Sequence, residues 1–396
     1  MKKRLNVRRK IAAIILSLIV FLTGCWSNRP LRSLAIVSAV GVDMSGDLLD
    51  VSVQLVKASA MGMTEAQGTT QEKAVLNIYL ASHSMMYDVR NLFSLVLPKS
   101  GYFNHVLLLV ISEEVAKQGI ADFMDFIDRD HEYDVNQLVV ISKGVRASTV
   151  LWTDSEAEKI PAKHIAETVR NTKATSQSYE ISVYDLLTKI NTEGEEATAG
   201  VFQFREGSDQ SNLMQMDVRG AAVFKGDKLV GWLDPDETVL LNIIQNNPTE
   251  VVWDLINPIT GKYFNYEFLG HDTSIEPVIK DGKPSIHIKV DTTGGCGINT
   301  INGEFPVNGS TVKTMVDAAG ASIKKRLEEV IAKVQHEYKS DIFGFGHKIY
   351  QTDPAYWDKI KDNWDTIFET LPVEVEVNAR ITEFSTNLAY ERIHIK

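Results

Sequence analysis

The stretch VEVEVNARIT, residues 373–382, alternates apolar and polar side chains more cleanly than any other part of the sequence. Because successive side chains of a β-strand point to opposite faces of its sheet, this alternation predicts a strand with one buried and one exposed face. Glu374 and Glu376 are expected to face solvent. The side chains expected to face the core are Val373, Val375, Val377, Ala379 and Ile381.

A long amphipathic helix that begins at Ser310 is predicted upstream of this strand. About 29 residues at 1.5 Å each would give it a length of about 43 Å. We expect its apolar stripe to pack on a sheet and its charged side to be solvated. A strand around Ile288 precedes the helix, and a shorter helix with Trp357 and Trp364 facing inward follows it. The stripe consists of Val312, Met315, Val316, Ala319, Ile323, Leu327, Val330, Val334 and Tyr338.

The middle of the chain predicts a second hairpin followed by a helix. Two apolar runs, residues 218–224 and 229–233, flank a KGDK turn. Asp234 then occupies a helix N-cap position, with Pro235 at the first helical position and Glu237 at the third, which is a capping-box arrangement. We interpret these acidic residues as helix caps and not as a cation site.

The first part of the chain mixes strands and helices. Residues 34–42 and 49–55 predict a hairpin, with its second strand half-buried because apolar and polar residues alternate. Helical spacing predicts one or two amphipathic helices over residues 75–96. Short apolar runs at 106–111 and 138–141 predict strands. Further helices are predicted over residues 113–118, 120–127, 154–169 and 183–190, the first of them capped by Ser112.

These elements together predict an α+β protein whose sheets are largely antiparallel or mixed. With 396 residues, the chain is too long for one ordinary domain. The polar segment 191–200 is interpreted as a linker. We expect three mixed α/β domains after a cleaved lipoprotein signal peptide at 1–24: an N-terminal domain at 25–190, a middle domain with hairpin and helix at 191–250, and a C-terminal domain with the long helix at 251–396.

The first 24 residues indicate export from the cytoplasm. Six basic residues precede a twelve-residue apolar run, which is shorter than the roughly twenty residues that a membrane span needs. The run has the length of a signal-peptide core. The sequence Leu22-Thr23-Gly24-Cys25 resembles the bacterial lipobox, in which the cysteine is acylated with diacylglycerol and the peptide is cut before it. Cys25 is therefore the predicted lipid anchor, and its two acyl chains are enough for stable attachment to a bilayer.

Composition excludes several classes of protein. Lys and Arg number 41 against 52 Asp and Glu, which gives a net charge of −11, and loss of the six basic residues before Cys25 takes it to −17. An acidic body argues against a nucleic-acid partner, because binding to phosphates needs basic patches. Two cysteines exclude a small scaffold held by disulfides. Export also separates the chain from soluble nucleotide cofactors.

The sequence carries no motif for catalysis or metal binding. Its nine histidines form no His-Glu-x-x-His pair, and it has no Gly-x-Ser-x-Gly nucleophile elbow. The GGCG sequence at 294–297 lacks the spacing of a phosphate loop, so we interpret it as a flexible turn and Cys296 as structural. His105, His287 and His347 are interpreted as hydrogen-bonded or solvated side chains. We therefore predict no catalytic residues, no metal ligands and no cofactor.

Motif-like stretches follow one another along the chain. Residues 34–43 form an opening stretch after Cys25-Trp26, and residues 105–120 form a second one. The sequences GAAVFK at 220–225 and KLVGWL at 228–233 form a third. The fourth stretch consists of DIFGFG at 341–346, Pro354, Trp357 and Trp364. In this order, the set resembles the C-subunit lipoproteins of bacterial spore germinant receptors, the GerC type, over essentially the whole mature chain.

The resemblance implies a lipoprotein of three α/β domains, held on the outer face of the spore inner membrane by a diacylglyceryl group on Cys25. It implies two integral-membrane partners, the A- and B-type receptor subunits, and a role in nutrient sensing and the triggering of germination. The resemblance implies no enzymatic activity and identifies no ligand-binding residue.

Two alternatives to this resemblance stay open. One is a solute-binding lipoprotein of a transporter, although the short turns between strands indicate antiparallel pairing and not two doubly wound lobes. The other is a lipid-anchored envelope hydrolase, for which no nucleophile or metal set is found.

Overall fold

The structure is a computed structural model that describes residues 34–57, 75–82, 99–129, 133–153, 158–171, 175–206, 214–258, 261, 263–298 and 309–384. The signal peptide predicted at 1–24 and the predicted anchor Cys25 lie outside these residues. The described residues form two sheets, and we use them to define a first lobe, residues 34–244, and a second lobe, residues 252–384. Among the described helices, none is long and apolar enough to cross a membrane.

The first lobe is built on a ten-stranded mixed sheet, sheet 1. Its strands are β1 (Leu34–Ser45), β2 (Leu48–Val56), β3 (Val75–Ser82), β4 (Ser100–Tyr102), β5 (Leu108–Ser112), β6 (Leu138–Ser142), β7 (Thr198–Glu206), β8 (Met214–Asp217), β9 (Ala221–Lys225) and β10 (Lys228–Leu233). They lie in the order β10-β9-β7-β6-β5-β1-β2-β3, with β4 beside β1 and β8 beside β7. The centre, β1-β5-β6-β7, is parallel, and the outer pairs β1–β2, β2–β3, β7–β9 and β9–β10 are antiparallel.

Helices cover both faces of sheet 1. They are α1 (Glu113–Gln118), α2 (Ala121–Arg129), α3 (Ala147–Trp152), α4 (Pro161–Asn171), α5 (Val183–Ile190) and α6 (Pro235–Ile244). Leu109 of β5 belongs to the same buried cluster as Phe123 of α2, whereas its neighbour Leu108 belongs to a second cluster with Val150 of α3 and Ile165 of α4. Since both faces are buried, the central strands are continuous apolar runs, as parallel strands usually are.

The second lobe packs one long helix on a four-stranded sheet, sheet 2. The strands are β11 (Val252–Ile256), β12 (Tyr263–Lys280), β13 (Lys283–Ile298) and β14 (Val373–Phe384), in that order across the sheet. The helices are α7 (Gly309–Lys333), which continues as a π-helical turn (Val334–Tyr338), α8 (Phe345–Thr352), α9 (Pro354–Ile360) and α10 (Trp364–Glu369). Strand β14 runs parallel to β13, while the other pairs are antiparallel. Met315, Ala319, Ile323 and Leu327 of α7 are fully buried against this sheet.

Many predicted elements are confirmed. Both hairpins are present, and the capping box of Asp234 and Glu237 is complete, since each side chain accepts a hydrogen bond from the other residue's backbone N–H. Ser112 caps α1, and α5 spans the residues predicted for it. The α+β class with mixed sheets is confirmed as well. Strands of the predicted domains 25–190 and 191–250 share sheet 1, and the division into three domains stays a prediction.

The prediction of a helix from residue 75 is wrong for residues 75–82, the part of the predicted helix that the structure describes. Residues 75–82 form β3, which pairs with β2 along its whole length, from Val56↔Val75 to Leu49↔Ser82. The apolar residues here fit both a helical and an extended period, and pairing with β2 decides between them. Residues 83–96 of the predicted helix lie outside the described residues.

Strand β2 is buried on both faces and not on one. Ser52 and Gln54, predicted to face solvent, have no exposed surface because α3 and α4 cover that side. The Gln54 amide nitrogen donates to the Leu151 carbonyl at 2.6 Å, and its oxygen accepts from the Ser38 hydroxyl at 3.0 Å and the Ala162 N–H at 3.3 Å. A buried polar side chain is tolerated here because its hydrogen bonds are made.

Three other local predictions differ from the structure. Residues 198–200 of the predicted linker lie in β7, with Ala199 fully buried. The GGCG sequence is part of β13 and not a turn, and a side chain at Gly294 would collide with Tyr266, since a Cβ there would lie 2.4 Å from the ring. The short helix around Trp357 and Trp364 is divided into α9 and α10 by a 3₁₀ turn, although both indoles are buried as predicted.

The two faces of β14 predict opposite effects of substitution. Val375 is 1% exposed, while Glu376 points to solvent beside His287. Burial of a valine contributes about 1.5–3 kcal/mol, and a carboxylate in its place adds a desolvation penalty. We expect Val375→Asp to unfold the second lobe and Glu376→Lys to leave its melting temperature within a few degrees of wild type. Equal effects in a thermal melt would contradict the register of β14.

Candidate functional site

The motif-like stretches at 220–233 and 341–346 meet where the two lobes touch. We call this contact the seam. It is formed by residues 191–197, the β9–β10 hairpin, residues 338–346 and the indoles of Trp357 and Trp364. Residues far apart in the sequence are therefore held together by the fold at this one place.

The end of α7 positions the seam. After the π-helical turn, Lys339 adopts a left-handed backbone with φ of 53°, which turns the chain sharply toward sheet 1. The Tyr338 hydroxyl donates to the Trp232 carbonyl at 2.7 Å. The Tyr338 ring lies against Gly231 so closely that an added Cβ would come within 2.2 Å of it. The hairpin can approach α7 at this distance because residue 231 is a glycine.

Asp341 lies at the centre of the seam, with 4% of its surface exposed. Its carboxylate accepts hydrogen bonds from the N–H groups of Phe345 at 3.0 Å and Gly346 at 2.8 Å, the first donors of α8. It also accepts from the Trp364 indole N–H at 3.1 Å. Burial raises the pKa of Asp341 to about 7, against the opposing effect of these three donors.

The segment 191–197 closes the seam from the side of the first lobe. The Glu196 N–H donates to the Asp341 carbonyl at 3.0 Å, and the His347 N–H donates to the Gly194 carbonyl at 2.8 Å. Gly194 has φ of 76°, and a side chain there would lie 2.6 Å from the backbone of Gly346. The Trp357 indole donates to Glu193 at 3.1 Å. The segment interpreted from sequence as a linker is thus tightly held.

An acidic cleft of about 390 Å³ opens along the seam. Its carboxylates contact partners within the chain: Glu193 lies 3.9 Å from the Lys361 ammonium, and Asp365 lies 3.0 Å from that of Lys225. Glu195 pairs with Lys189, and Glu196 accepts from the Gly226 N–H at 2.6 Å. Two of these ion pairs, Glu193–Lys361 and Asp365–Lys225, join the two lobes. Among the described residues, no group of three or more His, Cys, Asp or Glu side chains could hold a metal ion.

The other residues considered from sequence are dispersed. His105 is exposed beside Tyr102, His287 faces Glu376 on the open face of sheet 2, and His347 contacts Gln351. Cys296 is buried within β13, and burial raises the pKa of its thiol to about 12, which suppresses the reactive thiolate. Glu237 pairs with Lys333 of α7 at 2.8 Å in addition to its capping role. The predicted anchor Cys25 lies outside the described residues.

Sequence reasoning missed the role of Asp43. This buried carboxylate accepts from the N–H groups of Ala147 at 2.7 Å and Ser148 at 2.9 Å, so it caps α3 from a strand a hundred residues away in sequence. Arg146 lies 3.7 Å from it and bridges to Asp50. The only sequence signal was the absence of a good capping side chain at Arg146, the residue before α3.

Comparison with known families agrees with this fold. Residues 27–203 match the family model "Spore germination protein N-terminal domain", and residues 219–385 match "Spore germination B3/ GerAC like, C-terminal". The two matches place both lobes in the class of spore germination proteins. The chain belongs to the germinant-receptor C-subunit family.

Individual relatives match over nearly their full length. The chain is 27% identical to spore germination protein KC of Bacillus subtilis (strain 168), over 95% of this chain and 96% of the relative. It is 20% identical to spore germination protein B3 of the same organism, over 94% of this chain and 97% of the relative. The crystal structure of the GerBC protein aligns with a TM-score of 0.54 at 18% identity, over 87% of this chain and 97% of that chain, which shows a shared fold.

The raised pKa of Asp341 predicts a pH-dependent stability. The folded protein holds a proton on Asp341 up to about pH 7, and the unfolded chain only up to about 3.8. Between these values the folded state binds more protons, so this residue's contribution to stability is present at low pH and is lost as pH rises toward 7. Denaturant titrations from pH 4 to 8 should show a flatter pH dependence for Asp341→Asn than for wild type. The exposed Asp365→Asn serves as control, and parallel curves for Asp341→Asn and wild type would contradict the assignment.

The close approach at Gly231 predicts a loss of stability on adding one methyl group. We expect Gly231→Ala to lower the melting temperature, because its Cβ would overlap the Tyr338 ring. Gly320→Ala is a matched control: its Cβ would meet no atom closer than 3.6 Å, and alanine is favoured over glycine within a helix by about 1 kcal/mol. The control should raise the melting temperature, and the same sign for both variants would contradict the packing described for the seam.

Proposed function

We propose that this chain is the lipid-anchored, non-enzymatic C subunit of a germinant receptor and supports nutrient sensing and the triggering of germination. The observation that carries the proposal is the match of both lobes, in order, to spore germination family models. Its partners in the proposal are integral-membrane A- and B-type subunits, and nucleic acid is not among them. The seam carboxylates Glu193, Glu195 and Asp365 are paired with lysines of the same chain, which supports a structural role for the seam.

The proposed location is the outer face of the spore inner membrane. The signal-like segment and the lipobox-like sequence at Cys25 support export and acylation. Leu34, where β1 begins, follows Cys25 by nine residues, which reach at most about 30 Å when fully extended. A diacylglyceryl group on Cys25 would therefore hold the first lobe close to the bilayer surface, within reach of membrane-embedded subunits.

The alternative of a solute-binding lipoprotein is less well supported. The first lobe does have a parallel centre with helices on both faces, but sheet 2 of the second lobe is mainly antiparallel with one face open to solvent. Such a pair of lobes does not repeat the doubly wound unit expected of that class. Copurified polytopic membrane proteins would favour the receptor subunit, and a copurified small ligand would favour the alternative.

The anchor can be tested with the two cysteines of the chain. We expect Cys25→Ala to abolish labelling by a fatty-acid probe and to leave the protein as unprocessed precursor or as a shed form. Cys296→Ala removes the other cysteine and should keep full labelling and membrane association. Undiminished label in Cys25→Ala would refute the anchor.

The receptor role predicts a selective germination defect. Spores that lack this chain, in a background without redundant receptors, should fail to respond to one class of nutrient germinant and should germinate normally with a receptor-independent trigger. The levels or assembly of the A- and B-type subunits should fall in the same spores, as measured by immunoblotting of inner-membrane fractions. Normal responses to every nutrient tested would count against the proposal, and so would turnover of an envelope substrate by the purified chain.

A further inference from the structure

The open face of sheet 2 carries apolar side chains at the end where β11 pairs with β12. Trp253 and Leu255 of β11 are buried on the side of α7, so the residues that alternate with them point away from α7. Four large apolar side chains on this outer face are between 44% and 58% exposed, and we call them the sheet 2 patch: Val252, Ile256, Tyr263 and Leu269. Because burial of such side chains is favourable, their grouping on one face indicates a contact surface.

Strand pairing holds the sheet 2 patch together. Ile256 lies opposite Tyr263. Val252 lies opposite Glu267, which is two residues before Leu269. Opposite residues of an antiparallel pair have Cβ atoms about 5 Å apart, and diagonal neighbours lie about 7–8 Å apart. A single segment of chain laid across β11 and β12 could therefore contact all four side chains.

Strand β13 provides a depression beside the patch. Gly295 and Gly297 are paired with Glu267 and Asn265, so they share the open face, and neither has a side chain to fill it. A Cβ at Gly295 would lie 3.4 Å from Oε2 of Glu267 and 3.8 Å from Cδ1 of Leu269. These two side chains of β12 thus border the backbone of β13, which forms the floor of the depression.

The carboxylates around the patch have no cationic partner in the described part of the chain. Asp254 and Glu267 are exposed on the same face as the patch. Glu383 of β14 lies opposite Gly295 and is also exposed. No ion pair joins any of these three side chains to a described residue. A segment that complements this surface must therefore be apolar and basic.

Residues 385–396, with the sequence STNLAYERIHIK, have this composition. They follow β14 and lie outside the described residues. Their charged side chains are Glu391, Arg392 and Lys396, so the cations outnumber the carboxylate. Their large apolar side chains are Leu388, Tyr390, Ile393 and Ile395.

The end of β14 brings this segment beside the patch. Phe384, the last residue of β14, is in register with Cys296 of β13, which is paired with Tyr266 of β12 and through it with Trp253 of β11. The chain therefore leaves sheet 2 level with the patch. Two strand spacings, about 10 Å, separate β14 from β12. The four residues from Phe384 to Leu388 reach at most about 14 Å, which is enough to cross that distance.

We infer that residues 385–396 fold back over the open face of sheet 2 and cover the sheet 2 patch. Their apolar side chains bury the patch, and Arg392 and Lys396 bind the carboxylates of Asp254 and Glu267. Residues 299–308 also adjoin this end of the sheet, but they connect β13 to α7, which packs on the opposite face. The inference goes beyond the proposed function and does not depend on it.

The test measures how fast iodoacetamide alkylates a cysteine placed in the patch. Val252→Cys is made in the full-length chain and in the same chain without residues 385–396, and modification of residue 252 is followed by peptide mass spectrometry. We expect the segment to slow alkylation about tenfold. Val230→Cys is the matched control, since Val230 is an exposed valine of β10 in the other sheet, and it should react equally fast in both chains.

A second variant keeps the segment and changes only its charge. Arg392→Glu combined with Lys396→Glu should raise alkylation at residue 252 toward the rate of the truncated chain, because the new carboxylates repel Asp254 and Glu267. Glu391→Gln is the control within the same segment and should keep the protection. Thermal melts of all variants should match wild type within a few degrees, which separates loss of the contact from unfolding.

Equal alkylation rates at residue 252 with and without residues 385–396 would overturn the inference. Protection that increases with protein concentration would also overturn it, since a second copy would then cover the patch. Protection that persists in the charge-reversal variant would do the same. Germination of spores that lack the chain tests the receptor role alone, so the two proposals can fail separately.

Discussion

The buried carboxylate of Asp341 is the constraint on which the arrangement of the two lobes depends. Burying a carboxylate is costly unless donors surround it, and here the first turn of α8 and the Trp364 indole supply three of them. Its backbone carbonyl accepts from Glu196 of the first lobe at the same time. One residue thus fixes where α8 begins, where α10 packs and where residues 191–197 lie. The tight packing at Gly194 and Gly346 follows, since a side chain at either position would collide with this arrangement.

The parts of the fold that the sequence predicts well are those with one buried face. The alternation of β14, the stripe of α7 and the capping box of α6 depend on local spacing, and each matches the structure. Predictions are less reliable for strands that are covered on both faces. The alternation in β2 predicts that Ser52 and Gln54 face solvent, whereas in the structure α3 and α4 cover them. The sequence predicts a helix where the short strand β3 lies, because the pairing of β3 with β2 is not visible in the local sequence.

The candidate sites were harder to predict than the fold. The sequences around Asp341 and the β9–β10 hairpin stood out as motifs, but nothing in their spacing indicates that they meet. Their meeting depends on the π-helical turn and the left-handed Lys339, which redirect the chain between them. Asp43 presents the same difficulty, since its partners come from a distant segment. Polar contacts between distant segments depend on the topology of the fold, and the topology cannot be predicted from patterns in a single sequence.

The segment before α5 is joined to the seam by a short chain of hydrogen bonds through Gln245. Tyr179, which follows Ser178, donates its hydroxyl to the Gln245 amide oxygen at 2.7 Å. The Gln245 amide nitrogen donates to the carbonyl of Ile342, the residue after Asp341, also at 2.7 Å. Coupling between sites is carried by such contiguous packed and hydrogen-bonded groups when they have two arrangements available. A shift of the Tyr179 side chain would therefore have to carry the Gln245 amide with it or break the hydrogen bond between them, and Gln245 is in turn held to the backbone beside Asp341.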